Sequence, residues 1–171
     1  MRLDEHIRQI PDFPKPGILF YDISTLLLRP EAFAVAIDRM AEAIRPFRPE
    51  ILAAIESRGF LFAAPIALRL GIGCAMVRKR GKLPGSVVRH AYDLEYGSDT
   101  VEASADLLVA GTRAVVVDDL IATGGTAAAT VELLGKIGVE VAAAAFLIEL
   151  TMLGGRKRLD VPVEALLSFE G

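Results

Sequence analysis

The stretch with the most chemical content is VVVDDLIATGGT, residues 115–126. A β-branched run leads into two carboxylates, Asp118 and Asp119. A Thr-Gly-Gly-Thr turn follows and opens the helix-forming segment TAAATVELLGKI, residues 126–137. Gly124 and Gly125 let the backbone bend and approach a ligand with no Cβ in the way. Unpaired amides at a helix start point outward, and the helix dipole favours an anion there. Beside Ala122, Thr123 and Thr126 add hydroxyl donors. The turn holds no lysine, which suits a monophosphate gripped by neutral groups. Carboxylates accept hydrogen bonds from vicinal hydroxyls, so an anion site next to Asp118 and Asp119 describes a ribose 5-phosphate. Adjacent strand residues face opposite ways, so the two acids are not expected to share a proton, although twist at a strand end can bring both into one site. The triphosphate pattern G-x-x-x-x-G-K-[ST] does not occur. Nor does G-x-G-x-x-G, because Met76 stands where a third glycine should follow Gly71 and Gly73.

Those residues need a scaffold, and the apolar pattern supplies one. Phe33, Ile37, Met40, Ile44 and Phe47 share one helical face over residues 31–47, with Pro30 at the usual helix start. ILAAI (51–55), CAMV (74–77), RAVVVDD (113–119) and VEVAAAAFLIEL (139–150) read as strands. GFLFAAPIALRL (59–70) reads as a buried helix ending at Gly71, and Gly138 closes the helix over 126–137. Strands alternating with helices imply an α/β fold with a parallel β-sheet flanked by helices. Continuously apolar strands imply that both faces of the sheet are covered. The polar segment 78–103 breaks the rhythm, with Ser86–Tyr92 and Thr100–Ala103 forming a small β-hairpin hood. Open parallel sheets bind ligands beyond the carboxyl ends of their strands, which selects the loops at 56–59, 78–82 and 118–126.

Composition excludes several classes. The chain has 171 residues, a net charge of −3, 53% hydrophobic and 24% charged residues. Those values fit one packed domain over residues 1–171 rather than disorder. The longest apolar run, Val141–Ile148, falls short of the ~18–20 residues that span a bilayer. No secretory leader is expected at the start MRLDEHIRQIPDFP. One cysteine, Cys74, fits a reducing cytoplasmic location. Two widely separated histidines and one cysteine argue against structural zinc. The acidic balance and the lack of tryptophan argue against a nucleic-acid partner.

Two further loops carry charge. ESRGF presents Arg58 and a turn opened by Gly59. RKRGK gathers Arg78, Lys79, Arg80 and Lys82 at the end of a strand, on the ligand side of the sheet. A lone arginine most often makes a surface ion pair, and a charge run is most often a solvated face. The basic loop GGRKR (154–158) is read as solvated.

The string VVVDDLIATGGT resembles the phosphoribosyl-pyrophosphate motif of the type I phosphoribosyltransferases. DFPKPGILFYDIS (12–24), ESRGFLF (56–62), RKRGKLPG (78–85), LEYG (94–97) and IELT (148–151) resemble, in the same order, segments of the branch that uses adenine. The resemblance implies transfer of a 5-phosphoribosyl group from phosphoribosyl pyrophosphate (PRPP) to adenine, giving AMP and pyrophosphate. It implies that Asp118, Asp119, Ala122, Thr123, Gly124, Gly125 and Thr126 hold the ribose and its phosphate. Glu56, Ser57, Arg58, Arg78, Lys79 and Lys82 are implied for pyrophosphate, with a cis peptide between Glu56 and Ser57. Leu19, Phe20 and Tyr21 are implied for adenine, Phe20 by stacking and the other two through backbone groups. Glu95 and Arg58 are the implied catalytic residues, Glu95 managing the proton at the imidazole edge of the base. Tyr96 is implied to close the site. Mg2+ is implied as cofactor, held mainly through substrate with no direct protein ligand, and a homodimer is implied as the assembly. Two alternatives stay open on the sequence. One is the same chemistry on hypoxanthine, guanine, xanthine or orotate; the other is a non-catalytic regulator that senses PRPP.

Overall fold

The computed structural model describes residues 1–94 and 97–170. The chain opens with a hairpin, β1 (Arg8–Pro11) and β2 (Leu19–Asp22), paired antiparallel as a separate two-stranded sheet. Two helices follow, α1 (Ser24–Leu27) and α2 (Pro30–Ile44), the latter with Pro30 in its first turn. Then come β3 (Ile51–Ile55), α3 (Gly59–Leu70), β4 (Gly73–Lys79), β5 (Val87–Asp93) and β6 (Ser98–Ser104). The chain continues through β7 (Arg113–Ile121), α4 (Gly125–Ile137), β8 (Glu140–Leu150) and β9 (Val163–Phe169). No helix among the described residues is long and apolar enough to cross a membrane.

The main sheet runs in the order β5-β6-β4-β3-β7-β8-β9. From β4 to β9 every neighbouring pair is parallel. Alternation along these strands divides the core in two. Leu52, Ala54, Val115, Val117, Ala143 and Ala145 pack under α2 and α3. Ala53, Ile55, Ala114, Val116, Ala144 and Phe146 pack under α4 and the hairpin of β5 and β6. Period-two side chains on a strand buried from both sides require this continuous apolar composition.

β3 lies between β4 and β7, so the chain leaves β3 to one side and returns on the other. This reversal is where open sheets of this kind form a ligand crevice. The loops after β3 and β7 both open into it. The 78–103 hairpin is not detached from the sheet: β6 pairs with the end of β4, Arg78 opposite Glu102 and Lys79 opposite Val101.

One close approach fixes the crevice. Gly59 begins α3, and a Cβ there would lie 2.7 Å from the Val117 carbonyl oxygen and 3.1 Å from Asp118 Oδ1. Only glycine lets the first turn of α3 rest on the end of β7. Gly59→Ala is therefore expected to cost about 1–3 kcal/mol of stability through overpacking, and a thermal melt that matches wild type would refute the close packing.

Candidate active site

The phosphate-loop candidate lies where the motif places it. Asp118 and Ala122 to Thr126 line a small cavity of about 140 Å³ at the start of α4. Among the described residues, the amides of Thr123, Gly124, Gly125 and Thr126 donate to no protein acceptor, so the donors of the helix start are free for an anion. Gly124 has φ +80°, and a Cβ there would lie 2.5 Å from the Gly155 carbonyl oxygen. The loop 154–158, read from the sequence as solvated, thus packs against the turn. Arg156 in that loop makes a two-point contact with Glu149, at 3.0 and 2.5 Å. The Arg158 guanidinium reaches within 3.6 Å of where a Gly125 Cβ would sit.

The two acids come together more closely than strand alternation suggests. Asp118 Oδ1 accepts the Asp119 amide at 2.9 Å, and Asp119 Oδ2 pairs with Arg58 Nε at 2.6 Å. Burial, and then the neighbouring Asp119 charge, push the Asp118 carboxyl well above its usual range. The two carboxyls form one electrostatic unit, within the allowance that strand-end twist can bring both into one site.

Arg58 connects this unit to a second cleft. Its guanidinium stands 6.0 Å from the centre of the Phe20 ring, within cation–π range. Phe20 also meets Phe13 edge-on at 5.1 Å. The cleft, about 420 Å³, is walled by Phe13, Phe20, Leu27 and Leu61, with Asp22 and Arg58 as polar groups. Hydrogen bonds from Ser24, and then the Arg8 guanidinium, hold the Asp22 carboxyl down to about 2. Leu19 packs against the core, and the Tyr21 ring stacks on Phe169 at 4.5 Å. The side chains of these two residues are thus engaged within the fold.

The turn after β3 contains the cis peptide Glu56–Ser57. Among the described residues the Ser57 and Arg58 amides have no acceptor, so this turn too offers donors. Glu56 is heavily engaged within the protein. Its amide donates to the Val77 carbonyl at 2.9 Å. Its carboxylate accepts from Lys82 Nζ at 2.8 Å, the Lys79 amide at 2.9 Å and Arg78 Nη2 at 3.2 Å. Burial alone would raise the Glu56 carboxyl; these donors outweigh it and hold it down to about 2. A carboxylate so occupied gathers the cations of the 78–82 loop.

Lys79 points elsewhere in the ligand-free protein. Its ammonium pairs with Asp99 and donates to the Tyr92 hydroxyl at 2.8 Å, away from Glu56. Arg78 and Lys79 are adjacent on β4, so they face opposite sides of the sheet. Of the six pyrophosphate candidates, Ser57, Arg58, Arg78 and Lys82 face the crevice side by side with Glu56, while Lys79 turns to Tyr92 and Asp99. Glu95 and Tyr96 lie outside the described residues. Sequence reasoning passed over Tyr92, whose hydroxyl lies 3.0 Å from Thr126 Oγ1. Only a strand register could have revealed that contact.

Comparison with known proteins matches this geometry. The phosphoribosyl transferase domain family matches residues 24–163. An adenine phosphoribosyltransferase of Rhodospirillum centenum is 60% identical over 170 residues, covering 99% of both chains. The crystal structure of the adenine phosphoribosyltransferase of Thermoanaerobacter pseudethanolicus superposes with a TM-score of 0.94 at 46% identity, covering 98% of this chain and 100% of that one. The Saccharomyces cerevisiae enzyme, solved with adenine and an imino-altritol bisphosphate, superposes with a TM-score of 0.91 at 41% identity, covering 96% of each chain. With its mostly parallel seven-stranded sheet, free-amide turn and paired acids, the chain belongs to the adenine phosphoribosyltransferases of the phosphoribosyl transferase family.

Proposed function

We propose that the protein, as one domain, transfers the 5-phosphoribosyl group of PRPP to adenine, releasing pyrophosphate and forming AMP. The observation that carries this reading is Arg58, which joins an acid pair suited to a ribose diol (2.6 Å to Asp119) to an aromatic cleft suited to a purine (6.0 Å to Phe20).

Each group has a task. The free amides of 123–126 and the Thr123 and Thr126 hydroxyls grip the 5-phosphate. Asp118 and Asp119 accept from the ribose hydroxyls, and burial makes those bonds strong. Phe20 stacks on the base while main-chain groups of Leu19 and Tyr21 read its edge. The Ser57 and Arg58 amides, with Arg78 and Lys82, balance the charge on pyrophosphate as the C1–O bond breaks and the N9–C1 bond forms. Glu95 takes the proton that N9 gives up, and Tyr96 packs over the occupied site; both roles rest on the LEYG resemblance.

Mg2+ belongs to this proposal as a substrate-borne cation. The acid pair fits it in that form: one oxygen of Asp119 is engaged by Arg58 and one of Asp118 by the Asp119 amide, leaving the others for sugar hydroxyls or cation-bound water. Such a cation would supply charge neutralisation for the departing pyrophosphate. A cytoplasmic location is proposed on the lone unpaired Cys74. A homodimer is proposed as well, supported by apolar side chains left exposed on α3 (Leu61, Leu68) and β4 (Met76). Light scattering is expected to return twice the 18.3 kDa chain mass; a monomer at micromolar concentration would remove the dimer.

Mixed with PRPP and Mg2+, the protein is expected to make AMP from adenine and to leave hypoxanthine, guanine and xanthine unconverted. Glu95→Gln is expected to lower kcat with little change in KM. A panel in which no base is converted would sink the reading.

Asp118→Asn separates binding from stability. Because the folded state raises the Asp118 pKa above its ordinary 3.8, the folded state holds this proton more tightly than the unfolded chain. Its stability contribution is full below that ordinary value and is lost as pH climbs through the raised one. Asparagine removes the repulsion, so the free variant is expected to melt higher than wild type at pH 8. Its affinity for PRPP is expected to fall about tenfold or more. Calorimetry and melting curves check both; an unchanged affinity would detach Asp118 from the ribose.

A further inference from the structure

Lys79, Tyr92, Asp99 and Thr126 form a chain of polar contacts from β4 and the β5–β6 hairpin to the phosphate turn. Lys79 Nζ donates to the Tyr92 hydroxyl at 2.8 Å and pairs with Asp99. The Tyr92 hydroxyl lies 3.0 Å from Thr126 Oγ1 and 3.3 Å from Asp99 Oδ2. The Tyr92 ring reaches 3.9 Å from where a Gly125 Cβ would stand, so the residue lies along the outer side of the turn.

Counting protons gives this chain a direction. A tyrosine hydroxyl has one proton and can accept besides. Lys79 fills an acceptor position, so the Tyr92 proton goes to Asp99 or to Thr126. Asp99 already receives the Lys79 ammonium on the oxygen that faces Tyr92, and its other oxygen accepts the Thr100 amide at 2.8 Å. Without a ligand the Tyr92 hydroxyl donates to Asp99 Oδ2 at 3.3 Å, while its shorter contact, 3.0 Å, is to Thr126 Oγ1. When a ligand oxygen in the cavity that Thr126 lines draws the Thr126 proton, Thr126 Oγ1 takes the Tyr92 proton in place of Asp99. An anionic phosphate oxygen is such a ligand atom. Donation then runs from the Lys79 ammonium through Tyr92 and Thr126 to phosphate, each bond polarising the next.

We propose that Tyr92 is a positioning residue for phosphate binding: its hydroxyl orients the Thr126 hydroxyl as a donor and couples the β5–β6 hairpin to the occupied phosphate turn. This rests on the reading of 122–126 as the 5-phosphate site. It also gives Lys79 a role at the phosphate rather than at pyrophosphate.

Tyr92→Phe keeps the ring beside Gly125 and deletes the link. KM for PRPP and Kd for ribose 5-phosphate are each expected to rise roughly three- to tenfold, the loss of one hydrogen bond between neutral groups. KM for adenine and kcat at saturating PRPP are expected to stay within about twofold, which general loosening of the hairpin would not allow. In a double-mutant cycle, Tyr92→Phe is expected to add nothing once Thr126→Val is present. Unchanged ribose 5-phosphate affinity in Tyr92→Phe, or additive effects in the cycle, would overturn the proposal. Wild-type protein that fails to bind ribose 5-phosphate would instead overturn the underlying site reading, and Tyr92→Phe with equal losses for adenine and PRPP would make the contact merely structural.

Discussion

Two carboxylates at the end of one buried strand govern the site. Asp119 is almost fully buried, and Asp118 carries a strongly raised pKa beside it. A chain optimised only for stability would put neutral groups there, because each buried charge loses hydration and each repels the other. The cost is partly offset by Arg58, which reaches over from the turn after β3. It can reach because Gly59 lets α3 begin directly against Val117 and Asp118. Charge pairing and backbone packing are thus one constraint. The acids stay in place because the helix start lies against them, and the arginine comes from the turn just before that helix.

The other side of the crevice solves the opposite problem. Arg78 and Lys82 must lie near each other to meet a polyanion, yet in the free protein they repel. Glu56 lies between them and is held ionised down to about 2. Its stabilising contribution is present above the usual carboxylate range and disappears only as pH falls toward that value. The cations are therefore assembled in the free protein, and on the proposed function this lowers the reorganisation required when pyrophosphate develops charge. Glu102 supports the same loop from β6. Buried under Arg89, it accepts the Gly81 amide at 3.0 Å and so holds the turn from which Lys82 projects.

Local signals carried much of this in the sequence. The β-branched run before Asp118, the glycines at 124 and 125 and the helix stop at Gly71 are properties of a few adjacent residues, and each lies where its chemistry requires. The strands β3, β7 and β8 were legible because burial on both faces leaves an unbroken apolar run. β1 and β2 were not: they are short, partly exposed and separated by a proline-rich link, so they lack both period and length. The partners of Lys79 were hidden for a different reason. A cluster of basic letters looks like one patch, but a strand sends alternate letters to opposite faces, and only the pairing of β4 with β6 shows which face meets Tyr92. The packing of Gly155 on Gly124 was equally hidden, since 31 residues separate them.

That last contact bears on how a lysine-free turn can be selective at all. Backbone amides hold an anion only while the turn keeps its shape, and glycines make this turn inherently pliant. Rigidity has to come from outside. Gly155 presses against Gly124 from below, where any side chain at either position would force the two apart, and Tyr92 lies along Gly125 and Thr126 from the side. Both supports come from segments distant in sequence, one after β8 and one in the polar hairpin. A pliant, neutral turn clamped by two remote elements presents fixed donors at little electrostatic cost to the free protein. A lysine in the same place would bind phosphate as a mobile point charge and would take any anion of suitable size. On the proposed function, the grip of the turn on phosphate is therefore a property of the clamps as much as of its own amides.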